Sequence, residues 1–180
     1  MRQNLRIRRA RSTEAPALLA MWERSVRATH TFLTEADIAF YRPLTAEILS
    51  DDALDVWVLA EEDEGLVGFL GLAGHSIEAL FLEPGRRREG SGRRLVEHAQ
   101  KINGGALTVD VNEQNDDARR FYDALGFTVV ARTSHDSTGR PYPIVHLRRE
   151  APRNIFARFG HLLRKVRGHR NATHSRRTSR

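Results

Sequence analysis

The chain has 180 residues, of which 40% are apolar and 29% are charged, and it contains no cysteine. A chain of this length buries one sizeable core, and its longest clean apolar stretch, residues 17–22, is far shorter than the roughly 18 residues that a membrane-spanning helix needs. We therefore expect one soluble domain without disulfides or thiolate metal sites, and a basic start that lacks an apolar stretch favours the cytoplasm over secretion.

The net charge of +6 is distributed unevenly along the chain. Residues 1–150 carry a net charge of −3, whereas residues 151–180 hold nine Lys or Arg and no acid, which gives +9. We therefore predict a folded domain over residues 1–150 and a separate basic tail over residues 151–180.

The first half of the chain predicts a strand, two helices and a three-stranded meander. Leu5, Ile7 and Arg9 alternate as a short strand. Ser12 stands where a helix N-cap belongs, ahead of apolar residues at helical spacing, and a second helical region covers residues 34–50. Three β-forming runs follow, which we interpret as antiparallel strands over residues 54–60, 66–73 and 77–82.

The second half alternates helices and strands. We predict helices over residues 91–103 and 116–125, and strands over residues 106–111, 127–132 and 144–148. Together with the meander, this order indicates an α/β (α+β) fold with a central mixed, mostly antiparallel sheet of about seven strands, flanked by helices.

A basic, glycine-containing loop joins the third meander strand to the next helix. Gly90 and Gly92 permit positive φ angles and close approach of a ligand, and the first N–H groups of the helix point at that ligand. We interpret the loop as a diphosphate site, with a tight turn carrying solvated arginines as the alternative. It is neither a Walker A loop nor a dinucleotide fingerprint, because Gly-Lys-Ser/Thr is absent and Leu95 occupies the third glycine position. Five arginines surround it: Arg86, Arg87, Arg88, Arg93 and Arg94.

Two motifs resemble those of the GNAT superfamily of N-acetyltransferases. R-x-x-G-x-G at residues 87–92 resembles its acyl-CoA pyrophosphate motif, and N-x-x-A-x-x-F-Y-x-x-x-G-F at residues 115–127 resembles its second element. Residues 22–33 and 139–143 are also similar to the small bacterial YjaB-type acetyltransferases. The resemblance covers about residues 5–149, and it implies a GNAT-like fold and direct transfer of an acetyl group from acetyl-CoA to a primary amine in a ternary complex.

The resemblance also implies where the acetyl donor binds. The pantetheine arm is expected to pair with the backbone of the third meander strand, where a strand N–H stabilises the oxyanion, and the pyrophosphate is expected on the loop. Asn115 is a helix N-cap that can also contact the cofactor. The implied cofactor-binding residues are Leu80, Phe81, Leu82, Arg87, Arg88, Glu89, Gly90, Ser91, Gly92, Arg93, Asn115 and Tyr122.

The acid and the base of the reaction are assigned from the same resemblance. Tyr122 is expected to protonate the departing sulfur, and the alternative is that it only packs in an apolar helix stripe. Glu78 is the favoured general base, with Asp110, His75 and His30 as its competitors. We expect no metal.

The resemblance indicates the acceptor-binding residues less specifically than the donor-binding residues. Its expected residues are Trp22, Thr29, His30, Phe32 and Tyr142, although Trp22 equally fits the apolar stripe of a core helix. A protein lysine, an N-terminal amine and a small-molecule amine all stay open as acceptors, and a homodimer is compatible with the sequence.

The tail is a separate question. Its apolar residues repeat at helical spacing between arginines, which predicts a basic amphipathic helix. These apolar residues are Ile155, Phe156, Phe159, Leu162, Leu163 and Val166. A disordered end is expected to follow from Gly168. Such a segment suits nucleic acid, an anionic membrane surface or an acidic protein, or it is an appendage packed on the domain. Two other functions therefore stay open: an acyl-CoA-binding regulatory or adaptor protein without turnover, and a nucleic-acid or membrane-associating protein that acts through the tail.

Overall fold

A computed structural model describes residues 4–62 and 65–151, so the predicted tail helix lies outside the described residues. The helices and strands, in chain order, are β1 (Arg6–Arg9), α1 (Ala15–Thr29), α2 (Glu35–Leu49), β2 (Asp55–Ala60), β3 (Leu66–Ala73), β4 (Ser76–Leu82), α3 (Ser91–Asn103), β5 (Leu107–Asn112), α4 (Asp116–Asp123), β6 (Thr128–Thr133) and β7 (Ile144–Arg149). Each element predicted within the described residues is present, with ends that differ by at most two residues from those expected. No helix in the described ranges is long and apolar enough to cross a membrane.

The start of α1 differs from the prediction. Ser12 does not cap the helix but opens a 3-10 turn, Ser12–Glu14, and α1 begins at Ala15. The Glu14 carboxylate closes this turn, because it accepts a hydrogen bond from the backbone N–H of Arg11 at 2.8 Å and pairs with Arg8 at 2.7 Å. The Arg8 guanidinium lowers the pKa of Glu14 to about 2.

The strands form one mixed sheet in the order β1-β2-β3-β4-β5-β7-β6. All neighbours are antiparallel except β4 and β5, which are parallel. The predicted mixed, mostly antiparallel sheet of seven strands is therefore confirmed.

Each face of the sheet carries a hydrophobic core. On one face, α3 and α4 pack on β3, β5 and β7 through buried side chains such as Leu95, Val109 and Leu147. On the other face, α1 and α2 cover Val58 and Phe69 of the meander. Because these cores fix the helices on both faces, the start of α3, the end of α1 and the start of α4 meet around β4.

The parallel pair of strands separates soon after it forms. β4 and β5 are paired only at Ser76 with Thr108 and at Ile77 with Val109. A bulge follows on β4, since Gly71 lies opposite Ala79 whereas Leu72 lies opposite Ile77, so that Glu78 is the extra residue. Beyond this point β4 turns one backbone edge toward a gap instead of toward β5.

Candidate active site

A cleft of about 490 Å³ opens where β4 leaves β5. The second half of β4 forms its floor, the loop before α3 and the first turn of α3 close one end, and α4 forms a wall. The end of α1 borders it on the acceptor side. Its lining residues are Ser25, Thr29, His30, Leu80, Phe81, Leu82, Arg87, Arg88, Gly90, Ser91, Gly92, Arg93, Asn115, Asp117, Ala118, Arg120, Phe121, Tyr122 and Ala124.

The closed end of the cleft has the features of an anion site. Gly90, the N-cap of α3, has a φ of 82°, and Arg88 adopts a φ of 66°, which a side-chain-bearing residue rarely does. These turns direct the first N–H groups of α3 toward the cleft. The Ser91 hydroxyl is buried in the same lining and has no hydrogen-bond partner among the described residues. A phosphate oxygen at this end would supply the partner that Ser91 lacks.

Gly92 lets α4 approach the start of α3. A Cβ added at Gly92 would lie 3.1 Å from Cζ and 3.3 Å from Cε2 of Phe121. Any larger residue would therefore push the Phe121 ring, which forms part of the cleft wall.

The arginines of the loop have different partners. Arg87 lines the cleft and donates a hydrogen bond to Asp117 of α4 at 3.1 Å. Arg120 and Arg87 together hold the pKa of Asp117 below its usual value. Arg88 and Arg93 also line the cleft.

The expectation that all five arginines surround one diphosphate is wrong for two of them. Arg86 pairs with Glu61 at 2.5 Å and with Glu89 at 3.0 Å, and Arg94 donates a hydrogen bond to the carbonyl of Leu5 at 2.7 Å. These contacts hold Arg86 and Arg94 outside the lining of the cleft. Glu89 also lies outside the lining, because its carboxylate is turned toward Arg86.

Tyr122 stands at the centre of the site. Its ring is buried between Phe121 and Phe127, with centroids 5.0 and 5.1 Å away, yet it lines the cleft. Burial raises the pKa of the Tyr122 phenol, so the hydroxyl is protonated at neutral pH. Packing and an acid role are therefore compatible in this residue.

A smaller cleft of about 170 Å³ lies between the separated strands and shares several residues with the first, Tyr122 and His30 among them. Glu78 and Asp110 both line it. Glu78 is exposed at the bulge of β4, whereas Asp110 contacts His146 Nδ1 at 2.7 Å. Two carboxylates therefore stand in the lining of this smaller cleft.

His30 joins the two clefts and lies in a hydrogen-bonded chain. Its Nδ1 is 2.8 Å from Oγ1 of Thr29, whose hydroxyl donates to the carbonyl of Ser25 at 2.8 Å. Its Nε2 is 3.4 Å from Nδ2 of Asn115. The Asn115 side chain also caps α4, as predicted, by accepting from the N–H of Ala118 at 3.1 Å.

Phe32 and Tyr142 lie one layer behind the clefts. The Phe32 ring packs on His30 at 5.5 Å and on Tyr142 at 5.9 Å, and neither Phe32 nor Tyr142 is in the lining of a described cleft. The Tyr142 hydroxyl donates to the buried Asp37 at 2.6 Å. Phe32 therefore supports His30 from behind, and Tyr142 supports Phe32.

Asp37 connects the start of α2 to the loop between β6 and β7. Besides Tyr142, it accepts hydrogen bonds from the Thr34 hydroxyl and from Arg140, both at 2.5 Å. The Thr34 hydroxyl and then the Tyr142 hydroxyl lower the pKa of Asp37 to about 2. Tyr41 of α2 reinforces this connection by donating a hydrogen bond to Asp136 of the same loop.

Two residues proposed from the sequence lie away from the site. Trp22 is buried in the core between α1 and the sheet, because it continues the apolar stripe of Leu18 and Val26. His75 lies in the turn before β4, outside the lining of both clefts, where its Nδ1 contacts the carbonyl of Ala106 at 3.2 Å.

The sequence interpretation missed two groups of residues. In the cleft these are Ser25, Asp117, Arg120 and Ala124. On the acceptor side they are Tyr41, Asp37, Asp136 and Arg140, of which only the T-x-x-D pattern at residues 34–37 carried a local signal, as a capping box.

Comparison with known proteins agrees with this geometry. The acetyltransferase (GNAT) domain family matches residues 53–129. Peptidyl-lysine N-acetyltransferase YjaB of Salmonella typhimurium is 43% identical over 143 residues, which cover 79% of this chain and 97% of that protein. The solution structure of apo YjaB from Escherichia coli superposes with a TM-score of 0.74 and 41% identity, covering 80% of this chain and 96% of that one.

A more distant structure shares the fold. The PaiA N-acetyltransferase from Thermoplasma acidophilum, solved in complex with coenzyme A, has a TM-score of 0.67 and 18% identity, and it covers 82% of this chain and 99% of that one. At this identity the likeness concerns the fold alone.

Proposed function

This chain belongs to the GNAT family of acetyltransferases and is an N-acetyltransferase, and from that premise we propose that it transfers the acetyl group of acetyl-CoA to the side chain of a peptidyl lysine. The observation that carries the proposal is the position of Tyr122 at the junction of two clefts. One cleft ends at the anion site before α3, and the other carries two carboxylates. A donor in one cleft and a cationic acceptor in the other can therefore meet at the same side chain.

The residues of the larger cleft fit coenzyme A. The orphaned Ser91 hydroxyl, the N–H groups at the start of α3 and the side chains of Arg87, Arg88 and Arg93 suit a pyrophosphate. The backbone edge of β4 from Leu80 to Leu82 suits the amide groups of an extended pantetheine arm, as an added strand would. We also assign to this edge the N–H that stabilises the oxyanion.

Acetyl-CoA supplies a thioester, whose carbonyl carbon forms a bond to the amine nitrogen as its bond to sulfur breaks. Tyr122 gives its hydroxyl proton to the sulfur. Burial raises the pKa of this phenol, which keeps the hydroxyl protonated until the departing sulfur takes its proton. An ammonium acceptor gives up two protons, one before the attack and one as the amide forms. We route both through Glu78 to solvent, and solvent returns one proton to Tyr122.

The acceptor class follows from charge and from the relatives. Glu78 and Asp110 attract an ammonium group to the smaller cleft, and the exposure of Glu78 lets the proton of that ammonium pass to water. The YjaB relatives are named peptidyl-lysine N-acetyltransferases. A lysine side chain is also long and narrow enough for a cleft of about 170 Å³.

The test measures thiol release by the full chain with acetyl-CoA and four acceptors. These are a peptide with a blocked N-terminus and one lysine, the same peptide with arginine in that place, a lysine-free peptide with a free N-terminus, and a polyamine. We expect thiol release with the lysine peptide and acetyl-lysine in its mass spectrum. Preference for the free N-terminus or the polyamine would overturn the acceptor class, and acetyl-CoA binding without release on any acceptor would identify an adaptor.

A further inference from the structure

We propose that His30 is the residue that orients the attacking amine: its Nε2 accepts a hydrogen bond from the amine N–H and so directs the nitrogen lone pair at the thioester carbonyl. This inference deepens the proposed function and rests on it. The position of His30 suits this role, because His30 lines both the larger cleft, which we assign to the acetyl donor, and the smaller cleft, which we assign to the amine, as Tyr122 does.

The hydrogen bonds around His30 fix which ring nitrogen carries the proton. The Thr29 hydroxyl has one hydrogen, and it is donated to the carbonyl of Ser25, so Oγ1 of Thr29 faces His30 as an acceptor. Nδ1 of His30 must then be the N–H that donates to Thr29. In the neutral ring, Nε2 therefore keeps its lone pair.

The Asn115 side chain, on the other side of the ring, also indicates that Nε2 of His30 is unprotonated. Its Oδ1 accepts the N–H of Ala118, so the group that faces His30 is the amide NH₂. An NH₂ group is a donor, and the atom it meets has to be an acceptor. At 3.4 Å this contact is longer than an ordinary hydrogen bond, so the lone pair of Nε2 is open to a better donor.

The environment also keeps the ring neutral. Burial lowers the pKa of His30 to about 4, since a charged imidazolium loses hydration in this position. A neutral imidazole does not repel a cationic acceptor, and it accepts a hydrogen bond where an imidazolium only donates. His30 thus keeps its own proton on Nδ1 throughout, while Glu78 and Tyr122 account for the protons that move.

The experiment compares variants of the full chain with the blocked lysine peptide, varying the peptide at saturating acetyl-CoA and then varying acetyl-CoA at a fixed concentration of peptide. His30→Phe keeps a ring but removes the acceptor, and we expect kcat/KM for the peptide to fall about tenfold or more with the KM for acetyl-CoA unchanged. His30→Gln returns an acceptor oxygen near the place of Nε2 and should recover a large part of the loss. His98→Phe is the matched control, because His98 packs on Trp57 at 4.4 Å and lies outside both clefts.

A second pair of variants tests the tautomer. Thr29→Val removes the acceptor of Nδ1–H, whereas Thr29→Ser retains it. In ¹⁵N spectra of the imidazole we expect protonated Nδ1 in the wild type and in Thr29→Ser, and a shift toward protonated Nε2 in Thr29→Val, together with a lower kcat/KM for the peptide. A purely structural role for Thr29 would leave the tautomer unchanged.

Two results would overturn the proposal. One is a wild-type His30 protonated on Nε2, and the other is a His30→Phe variant with the wild-type kcat/KM. Failure of the proposed function looks different, because then the wild type itself would release no thiol in response to any amine.

Discussion

The donor side of this active site is built from backbone, and the acceptor side is built from side chains. On the donor side the anion site consists of the first turn of α3 and a loop whose φ angles are set by Gly90 and Arg88, all within a few residues in sequence. On the acceptor side the loop between β6 and β7 is held to α2 by contacts such as Arg140 with Asp37 and Tyr142 with Asp37, which join residues 103 and 105 positions apart.

This difference indicates which residues determine affinity for the donor and which determine the choice of acceptor. Backbone amides recognise a phosphate as long as the path of the backbone is kept, so the donor site depends on a short contiguous segment. A wall formed by long-range side-chain contacts changes shape when one member changes. Affinity for the donor and choice of the acceptor should therefore respond to separate sets of substitutions.

The largest effect is expected on the reaction itself, where the two sides meet. Tyr122→Phe removes the hydroxyl but keeps the ring between Phe121 and Phe127. We expect kcat to fall about a hundredfold or more, with acetyl-CoA affinity and thermal stability close to those of the wild type. Steady-state kinetics and isothermal titration measure the two quantities, and unchanged turnover would exclude Tyr122 as the acid.

The next effect should be confined to the acceptor side. Asp37→Asn removes the charge that pairs with Arg140 and weakens the contact with Tyr142. We expect the KM for the amine to rise about tenfold while the KM for acetyl-CoA stays the same. Glu23→Gln is the control, since Glu23 forms exposed ion pairs with Arg27 and Arg42. Equal rises in both KM values would contradict the separation of the two sides.

A substitution on the donor side should weaken acetyl-CoA binding without changing the KM for the amine. Gly92→Ala brings a methyl group within 3.1 Å of Phe121, and the ring has to yield into the cleft. We predict acetyl-CoA binding weaker by up to about tenfold, with the KM for the amine unchanged. Gly85→Ala is matched to it, because a methyl group there meets nothing within 4 Å. Equal effects of the two substitutions would show that close packing at Gly92 is unimportant.

The smallest effect concerns stability on the acceptor side. The pKa of His30 is lowered from 6.5 to about 4, so the unfolded chain binds one more proton than the folded chain between these pH values. The free energy of unfolding should therefore fall as the pH falls from about 6.5 to about 4. Allowing for partial exposure, we expect His30 to account for about 1 kcal/mol of this fall. Denaturant titrations of wild type and His30→Gln across this range would show the difference, and parallel curves would contradict it.

The sequence was most informative where function depends on local backbone. Strand, loop and helix around residues 80–93 are contiguous, so their motif predicts their geometry, and Arg87 and Ser91 lie in the cleft as expected. A motif position does not tell which way a side chain turns: the Glu89 carboxylate turns toward Arg86 and lies outside the lining, so only its backbone N–H stays a candidate for the pyrophosphate.

The acceptor side was only partly predictable. Thr29 and His30 line the cleft, but Trp22 does not, and its spacing from Leu18 and Val26 had already offered the core as the alternative. The contact between Asp37 and Arg140 has no periodic or motif signal, because it depends on how β6 and β7 return to α2 after the chain has folded.

The separation of β4 from β5 also affects how the enzyme responds to its donor. Only two residue pairs join β4 of the meander to β5 of the other half of the described sheet. This junction therefore has the fewest paired residues of any between neighbouring strands there. In the proposed complex, a ligand that pairs with the edge of β4 and contacts α4 would connect the two halves of the sheet reversibly. Its binding energy then adds to the resistance of the fold to heat, by about 2.7 kcal/mol at a hundredfold excess over Kd. If the proposed donor site is correct, the fold would therefore resist heat better when acetyl-CoA is abundant than when it is scarce.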